Sequence, residues 1–149
     1  SGSDYTPSWS PNGNKIAFTS TEDDSGSLEI FIMNADGSAR TNLTNNPAHD
    51  QEPAWSPDGT KIAFYRSVVP DGHGDDEIYI MNADGSGATR ITQMSSDEQS
   101  PKWSPDGTKI AFLSDKDLTY GIYVMDADGT SQTYVSNGFK SERPYDWVP

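Results

Sequence analysis

Apolar residues along this chain fall in short runs separated by turn residues, and they keep no helical rhythm. Lys15-Ile16-Ala17-Phe18, Lys61-Ile62-Ala63-Phe64 and Lys109-Ile110-Ala111-Phe112 form one set of runs. Ile30-Phe31-Ile32-Met33, Ile78-Tyr79-Ile80-Met81 and Ile122-Tyr123-Val124-Met125 form a second set. Runs this short, rich in β-branched and aromatic residues and bounded by Gly, Pro, Asn and Asp, predict strands.

The runs belong to a repeat. PSWSPNGNKIAF starts at Pro7, PAWSPDGTKIAF at Pro53 and PKWSPDGTKIAF at Pro101. Each leads through an acidic loop to EIFIMNADGS from Glu29, EIYIMNADGS from Glu77 or GIYVMDADGT from Gly121. A Thr-rich segment closes each unit: TNLTN from Thr41, TRITQ from Thr89 and TYVSN from Thr133. The markers Trp9, Trp55, Trp103 and Trp147 are spaced by 46, 48 and 44 residues. Trp147 sits in PYDWVP, so three full repeats are followed by a stub.

Each repeat predicts four short strands. The first runs through Pro-x-Trp into a Ser-Pro-Asp-Gly-type turn, and the second is Lys-Ile-Ala-Phe. An Asn-Ala-Asp-Gly-type turn returns the third strand, with Gly where a positive φ costs least. The Thr-rich fourth strand is polar enough for an exposed edge. Four strands in about 40–50 residues is the pattern of a β-propeller blade. The expected fold is all-β, with three blades of four antiparallel strands and one extra strand. Expected boundaries are 4–49, 50–97 and 98–140 for the blades and 141–149 for the first strand of an incomplete fourth. The opening Ser1-Gly2-Ser3 reads as a cloning scar, which leaves an upstream signal open.

PAWSPDGTKIAF, followed by EIYIMNADGSGATRIT, resembles the WD40-like (PD40) repeat of TolB-type propellers, and the likeness runs over nearly the whole chain. The resemblance implies a propeller and a periplasmic or secreted setting more than a cytoplasmic one. It leaves function open, since such repeats also occur in propellers attached to peptidases and lyases. Propellers close with about 4–8 blades, so three blades amount to about half of a six-bladed ring. An open half exposes an apolar face at each end, which soluble monomers avoid. A homodimer related by a two-fold axis buries both, and a truncated piece of a longer chain is the rival. The stub repeats the innermost strand near Asp4–Ser10, so it either exchanges into a partner's sheet or stays loose.

Composition narrows the chemistry. The 149 residues include 23 Asp plus Glu against ten Lys plus Arg, for a formal net charge of −13. That charge repels phosphate, which argues against nucleic acid and anionic lipid. No run approaches the ~18 apolar residues of a membrane span. With no Cys there is no disulfide framework, thiol nucleophile or zinc-thiolate site. Only 32% of the residues are hydrophobic, but 11% are aromatic and the apolar runs are regular, which argues against disorder.

A four-stranded meander sorts its loops onto two faces. Most acids fall on the face with the long loops and blade connections: Glu22, Asp23, Asp24, Glu29, Asp71, Asp75, Asp76, Glu77, Asp97, Asp115 and Asp117 among them. The turn acids Asp36, Asp58, Asp84, Asp106, Asp126 and Asp128 lie opposite and read as structural. Three residues before each repeat Pro stand Asp4, Asp50 and Glu98, with Ser141 in the stub. Innermost strands line a propeller's channel, so these carboxylates are expected at its mouth. Like charges there raise one another's pKa unless a cation such as Ca²⁺ or Mg²⁺ compensates. The plainer reading is that they accept hydrogen bonds where the chain enters each blade. No cofactor is required on either reading, and Ca²⁺ is the ion that the oxygen-only set would suit.

Other candidates weigh less. The segment Asp71-Gly72-His73-Gly74-Asp75-Asp76-Glu77 lacks the order of an EF-hand loop and reads as an acidic hairpin loop. His73 and His49 read as loop residues, His49 with a hydrogen bond across the blade connection. The repeated Trp residues read as packing between blades before they read as a sugar or peptide platform. Tyr5, Tyr120 and Tyr145 are less regular and are better candidates for partner contact. Asn42-Leu43-Thr44 matches a glycosylation acceptor, which matters only in a eukaryotic secretory chain.

There is no Gly-x-Ser-x-Gly elbow, His-Glu-x-x-His pair, phosphate-binding Gly-Lys-Ser/Thr loop or Gly-x-Gly-x-x-Gly fingerprint, and only two His are present. The expected function is a non-catalytic propeller that binds a protein or peptide and closes its ring as a homodimer. One alternative is a structural or designed fragment of a larger TolB-like propeller, active only in self-assembly. The other is the propeller part of a peptidase or carbohydrate-active enzyme without its catalytic domain.

Overall fold

The computed structural model describes residues 2–22, 26–67, 76–93, 95–117 and 119–136. The stub and Tyr145, and with them Asp23, Asp24, Asp71, His73 and Asp75, lie outside the described residues. Among the described residues every regular element is a strand. Blade 1 comprises β1 (Asp4–Trp9), β2 (Lys15–Ser20), β3 (Glu29–Asn34) and β4 (Thr41–Asn42). Blade 2 comprises β5 (His49–Trp55), β6 (Lys61–Ser67), β7 (Asp76–Asn82) and β8 (Thr89–Arg90). Blade 3 comprises β9 (Glu98–Trp103), β10 (Lys109–Ser114), β11 (Gly121–Asp126) and β12 (Thr133–Tyr134). In each blade the strands lie side by side in chain order, antiparallel throughout.

The first strand of each blade carries a bulge at its Pro, which has no N–H to give to the ladder. The register shifts between Tyr5 and Ser8, between Gln51 and Ala54, and opposite Ala111 and Leu113. Thr6, Glu52 and Ser100, each just before the Pro, take φ of 48°, 53° and 54°. A left-handed non-glycine residue costs of order 1–3 kcal/mol. The bulges return contacts across the seams between blades. The Glu52 amide donates to Thr19 Oγ1 of blade 1 at 3.1 Å, and Ser100 Oγ bonds Glu52 Oε2 of blade 2.

Turn chemistry repeats as faithfully as the strands. In the first-to-second turns Asp58 and Asp106 accept the hydroxyls and amides of their own turns, as Ser56 Oγ to Asp58 Oδ1 and Ser104 Oγ to Asp106 Oδ1, both at 2.6 Å. Asp36, Asp84 and Asp128 do the same for Ser38, Ser86 and Thr130. These bonds hold all five carboxyls below their ordinary range, Asp106 to about 2.

The core is the set of seams between blades. Ala17 and Ile30 of blade 1, with Leu43, pack on Ile62, Phe64 and Met81 of blade 2, beside Trp55 and Tyr79. Ala63, Tyr65 and Ile78 of blade 2, with Ile80 and Ile91, pack on Ile110, Phe112, Tyr123 and Met125 of blade 3, beside Trp103. Blade 2 therefore turns one face to blade 1 and a different face to blade 3.

Candidate functional site

Among the described residues no blade precedes blade 1 and none follows blade 3. The face of blade 1 away from blade 2 carries Trp9, Ile16, Phe18, Phe31 and Met33, the counterparts of the residues with which blade 2 meets blade 1, and there Phe18 and Phe31 are buried, with Arg40 over their rings. The face of blade 3 away from blade 2 carries Ala111, Leu113, Ile122, Val124 and Val135, the counterparts of those that blade 2 turns to blade 3, and of these Ala111 and Leu113 are buried. Trp55 and Trp103 are half-buried in their seams, and Trp103 Nε1 donates to the Ala54 carbonyl at 3.1 Å. Trp9, at the same repeat position, is 58% exposed, and Val135 is 52% exposed.

Close approach at the turns shows the same asymmetry. A Cβ on Gly85 would stand 2.9 Å from the Leu43 carbonyl oxygen of the previous blade, and one on Gly129 would meet the Ile91 carbonyl. A Cβ on Gly37, the equivalent glycine of blade 1, would meet nothing within 4 Å. The tryptophans also border a shallow cleft of about 320 Å³, lined by Trp9, Trp55, Trp103, Lys102 and the turn prolines.

Asp4, Asp50 and Glu98 hold equivalent register positions, opposite Ser20, Arg66 and Ser114. The sequence pictured them as a ring of carboxylates at a channel mouth. In the structure each one is engaged by side chains close to it, and Asp50 and Glu98 are withdrawn from solvent. Asp4 is exposed and takes a bidentate pair from Arg40, both bonds at 3.0 Å. That guanidinium holds the Asp4 carboxyl below its ordinary range. Asp50 is fully buried and accepts Arg66 Nε at 2.6 Å, Arg66 Nη2 at 2.7 Å and Asn46 Nδ2 at 2.7 Å. Glu98 is fully buried and, among the described residues, accepts two hydroxyls, Ser96 Oγ at 2.6 Å and Ser114 Oγ at 2.9 Å. Among the described residues no group of three or more His, Asp or Glu stands placed to hold a metal ion.

The arginines were not singled out by sequence reasoning, and they carry much of the local order. Arg40 lies over Phe18 at 4.6 Å, and Arg66 lies over Tyr79 at 4.7 Å. Each thus caps a stacked aromatic pair, Phe18–Phe31 or Phe64–Tyr79. They reach this place from non-equivalent positions of the repeat, so no motif marks them. In blade 3 the pair Phe112–Tyr123 is met edge-on by Tyr134 at 5.3 Å.

Glu29 and Glu77 were expected on the acidic loop face, yet both are buried. Thr44 Oγ1 donates to Glu29 Oε2 at 2.6 Å, and Thr92 does the same for Glu77. Arg90 pairs with Glu77. Burial pushes the Glu29 carboxyl up. The repeated Glu-Ile and Leu/Ile-Thr spacing was the available signal. Gly121 replaces this Glu in blade 3, and Tyr134 packs where its side chain would start, 2.5 Å from an added Cβ.

Of the partner-contact candidates, Tyr5 is 50% exposed, and Tyr120 is 41% exposed and points its hydroxyl at Asp97 Oδ2. His49 Nδ1 accepts the Leu28 amide at 2.9 Å, the cross-connection bond expected of it.

The family model for the TolB β-propeller domain, PD40, matches residues 1–145. The chain belongs to the PD40 TolB β-propeller family. This PD40 chain is similar to the structure of a putative TolB from Agrobacterium tumefaciens, with 27% identity and a TM-score of 0.75 over 87% of this chain and 45% of that one. TolB from Acinetobacter baumannii is similar at 26% identity and a TM-score of 0.79, over 93% of this chain and 33% of that one. The propeller domain of the Trilobed protease from Pyrococcus furiosus shares the fold at 22% identity and a TM-score of 0.66, with 91% of this chain and 43% of that one covered. A search of curated proteins returned no match. The PD40 chain thus spans less than half the length of the TolB structures it resembles.

Proposed function

We propose that this chain is a non-catalytic propeller module that binds a protein or peptide partner and completes its ring with a second copy of itself. The observation that supports the reading is the complementarity of the two uncovered faces. Blade 3 ends on the kind of surface that Trp55 and Trp103 cover inside the chain, and blade 1 begins with an uncovered Trp9. In a two-fold ring Trp9 would pack on the partner's blade 3, and Gly37 would receive the partner's Val135 as Gly85 receives Leu43. Two such seams would close six blades.

Light scattering tests the ring. The expected mass is twice the 16.2 kDa of one chain, and Trp9→Ala should return it to a single chain without loss of the sheet signal, because Trp9 is already exposed in the single chain. Truncating an anchor of this kind costs about 2–4 kcal/mol per seam. A wild-type monomer at micromolar concentration would instead assign the two faces to other blades.

The partner we propose is basic, steered by the net charge of −13 and contacted by Tyr5 and Tyr120. The setting we propose, from the resemblance to TolB, is periplasmic or secreted. No cofactor is required in this reading. A calcium ion at Asp4 or Asp50 would compete with Arg40 or Arg66, and a thermal midpoint that rises with calcium and falls with EDTA would reveal one.

A further inference from the structure

The two seams between blades handle buried acid differently. At the seam of blades 1 and 2, Glu29 and Asp50 lie near each other, and Arg66 supplies a guanidinium from β6. At the seam of blades 2 and 3, Glu77 and Glu98 take the equivalent places, and the β6 arginine is replaced by Ser114 on β10. Glu98 Oε1 accepts the two serine hydroxyls, while Oε2 is buried with no hydrogen-bond partner. The Glu77 carboxyl is within hydrogen-bonding reach of Glu98. Two ionised carboxylates cannot bond each other, but one proton placed on Glu98 turns Oε2 into a donor and satisfies it.

We propose that Glu77 and Glu98 share a single proton, and that this proton ties blade 3 to blade 2. Among the described residues, these charged and titratable groups stand around the pair. β8 contributes Arg90, which pairs with Glu77. β11 contributes Tyr123, whose hydroxyl donates to Asp117 at 2.5 Å, and β12 contributes Tyr134. Asp76, Asp97 and Asp115 are close in sequence but form a separate group with Gln99 and Tyr120. Arg90 is held by Glu77 and by the Thr92 carbonyl, so its charge is committed on the Glu77 side of the pair.

Burial pushes the Glu98 carboxyl up to about 7, the charge of Glu77 adds to the rise, and the hydroxyls of Ser96 and Ser114 pull against it. The folded chain therefore holds a proton that the unfolded chain releases near its ordinary value of 4.5. Stability from this pair falls as pH rises from about 4.5 to about 7 and is level above that. At the seam of blades 1 and 2 the Arg66 guanidinium pairs directly with Asp50 instead.

Glu98→Gln tests the proposal, since the amide is shaped like the protonated acid and donates to Glu77 at every pH. At one fixed protein concentration, the thermal midpoint of E98Q should match the wild type near pH 5 and exceed it by several degrees at pH 8. A difference between the two proteins that does not change with pH would overturn the shared proton. Carboxyl ¹³C NMR on the wild type gives a second reading that needs no variant. Glu98 should titrate near neutrality, and a midpoint at or below the ordinary 4.5 would overturn the proposal.

Discussion

Arg66 and Arg40 make nearly the same contacts, yet they should contribute very differently. Asp50 is fully buried, so removing Arg66 leaves a carboxylate without its cation inside the seam. Arg66→Met should cost about 3–5 kcal/mol in a denaturant titration. Asp4 and Arg40 are both substantially exposed, and water screens their pair. Arg40→Met should cost under about 1 kcal/mol in the same measurement. Gly121 is a third residue whose role is set by a neighbour. Its added methyl would overlap Tyr134, so Gly121→Ala should destabilise by about 1–3 kcal/mol through overpacking. The same change in a double variant with Tyr134→Ala should cost less, which separates the clash from any loss of backbone freedom.

At the scale of elements, turns and bulges divide the work. The tight turns hold their aspartates ionised: Asp106 sits at about 2 because the Ser104 hydroxyl and the Thr108 amide and hydroxyl donate to it. A carboxyl lowered by folding contributes stability above its ordinary 3.8 and loses it as pH falls toward 2. Asp106→Asn should therefore flatten the acid limb of the stability curve between those values, read by thermal unfolding at a series of pH values. Glu98 acts in the opposite sense and over a different window, so the two changes can be told apart in one experiment. The bulges are less visible in sequence than the turns. A Pro within a strand predicts an interruption, but the positive φ at Thr6, Glu52 and Ser100 and the bonds to the neighbouring blade follow only when blades pack.

For the whole molecule, the question is what covers blade 1 and blade 3. Among the described residues, three blades whose seams form the core leave one face at each end without a neighbouring blade, and the exposure of Trp9 and Val135 marks those faces. Burying Trp9 at two seams should make the assembly depend on protein concentration, and a sizing series across dilutions checks this. The net charge has a separate consequence for partners. A basic peptide that binds the acidic face should lose affinity steeply between low and physiological salt, whereas the apolar seams should hold. Peptide affinity and chain mass measured over one salt series would distinguish the two surfaces.

By itself the sequence determined the blades. The Trp-Ser-Pro-Asp-Gly and Asn-Ala-Asp-Gly turns, the Lys-Ile-Ala-Phe strands and the repeat length specify four-stranded antiparallel units, because turn geometry and alternation act over a few residues. The structural role of the turn aspartates and the placing of Trp55 and Trp103 against neighbouring blades were legible for the same reason. What only the tertiary structure decided is the fate of the acids. Asp4, Asp50 and Glu98 read alike in the repeat, but one is exposed and paired with a distant arginine, one is buried on a local arginine, and one is buried on two serine hydroxyls. The difference arises because burial and charge pairing depend on what stands across the strands: Arg66 and Ser114 fill one repeat position with different chemistry, and Arg40 reaches Asp4 from another point of the repeat.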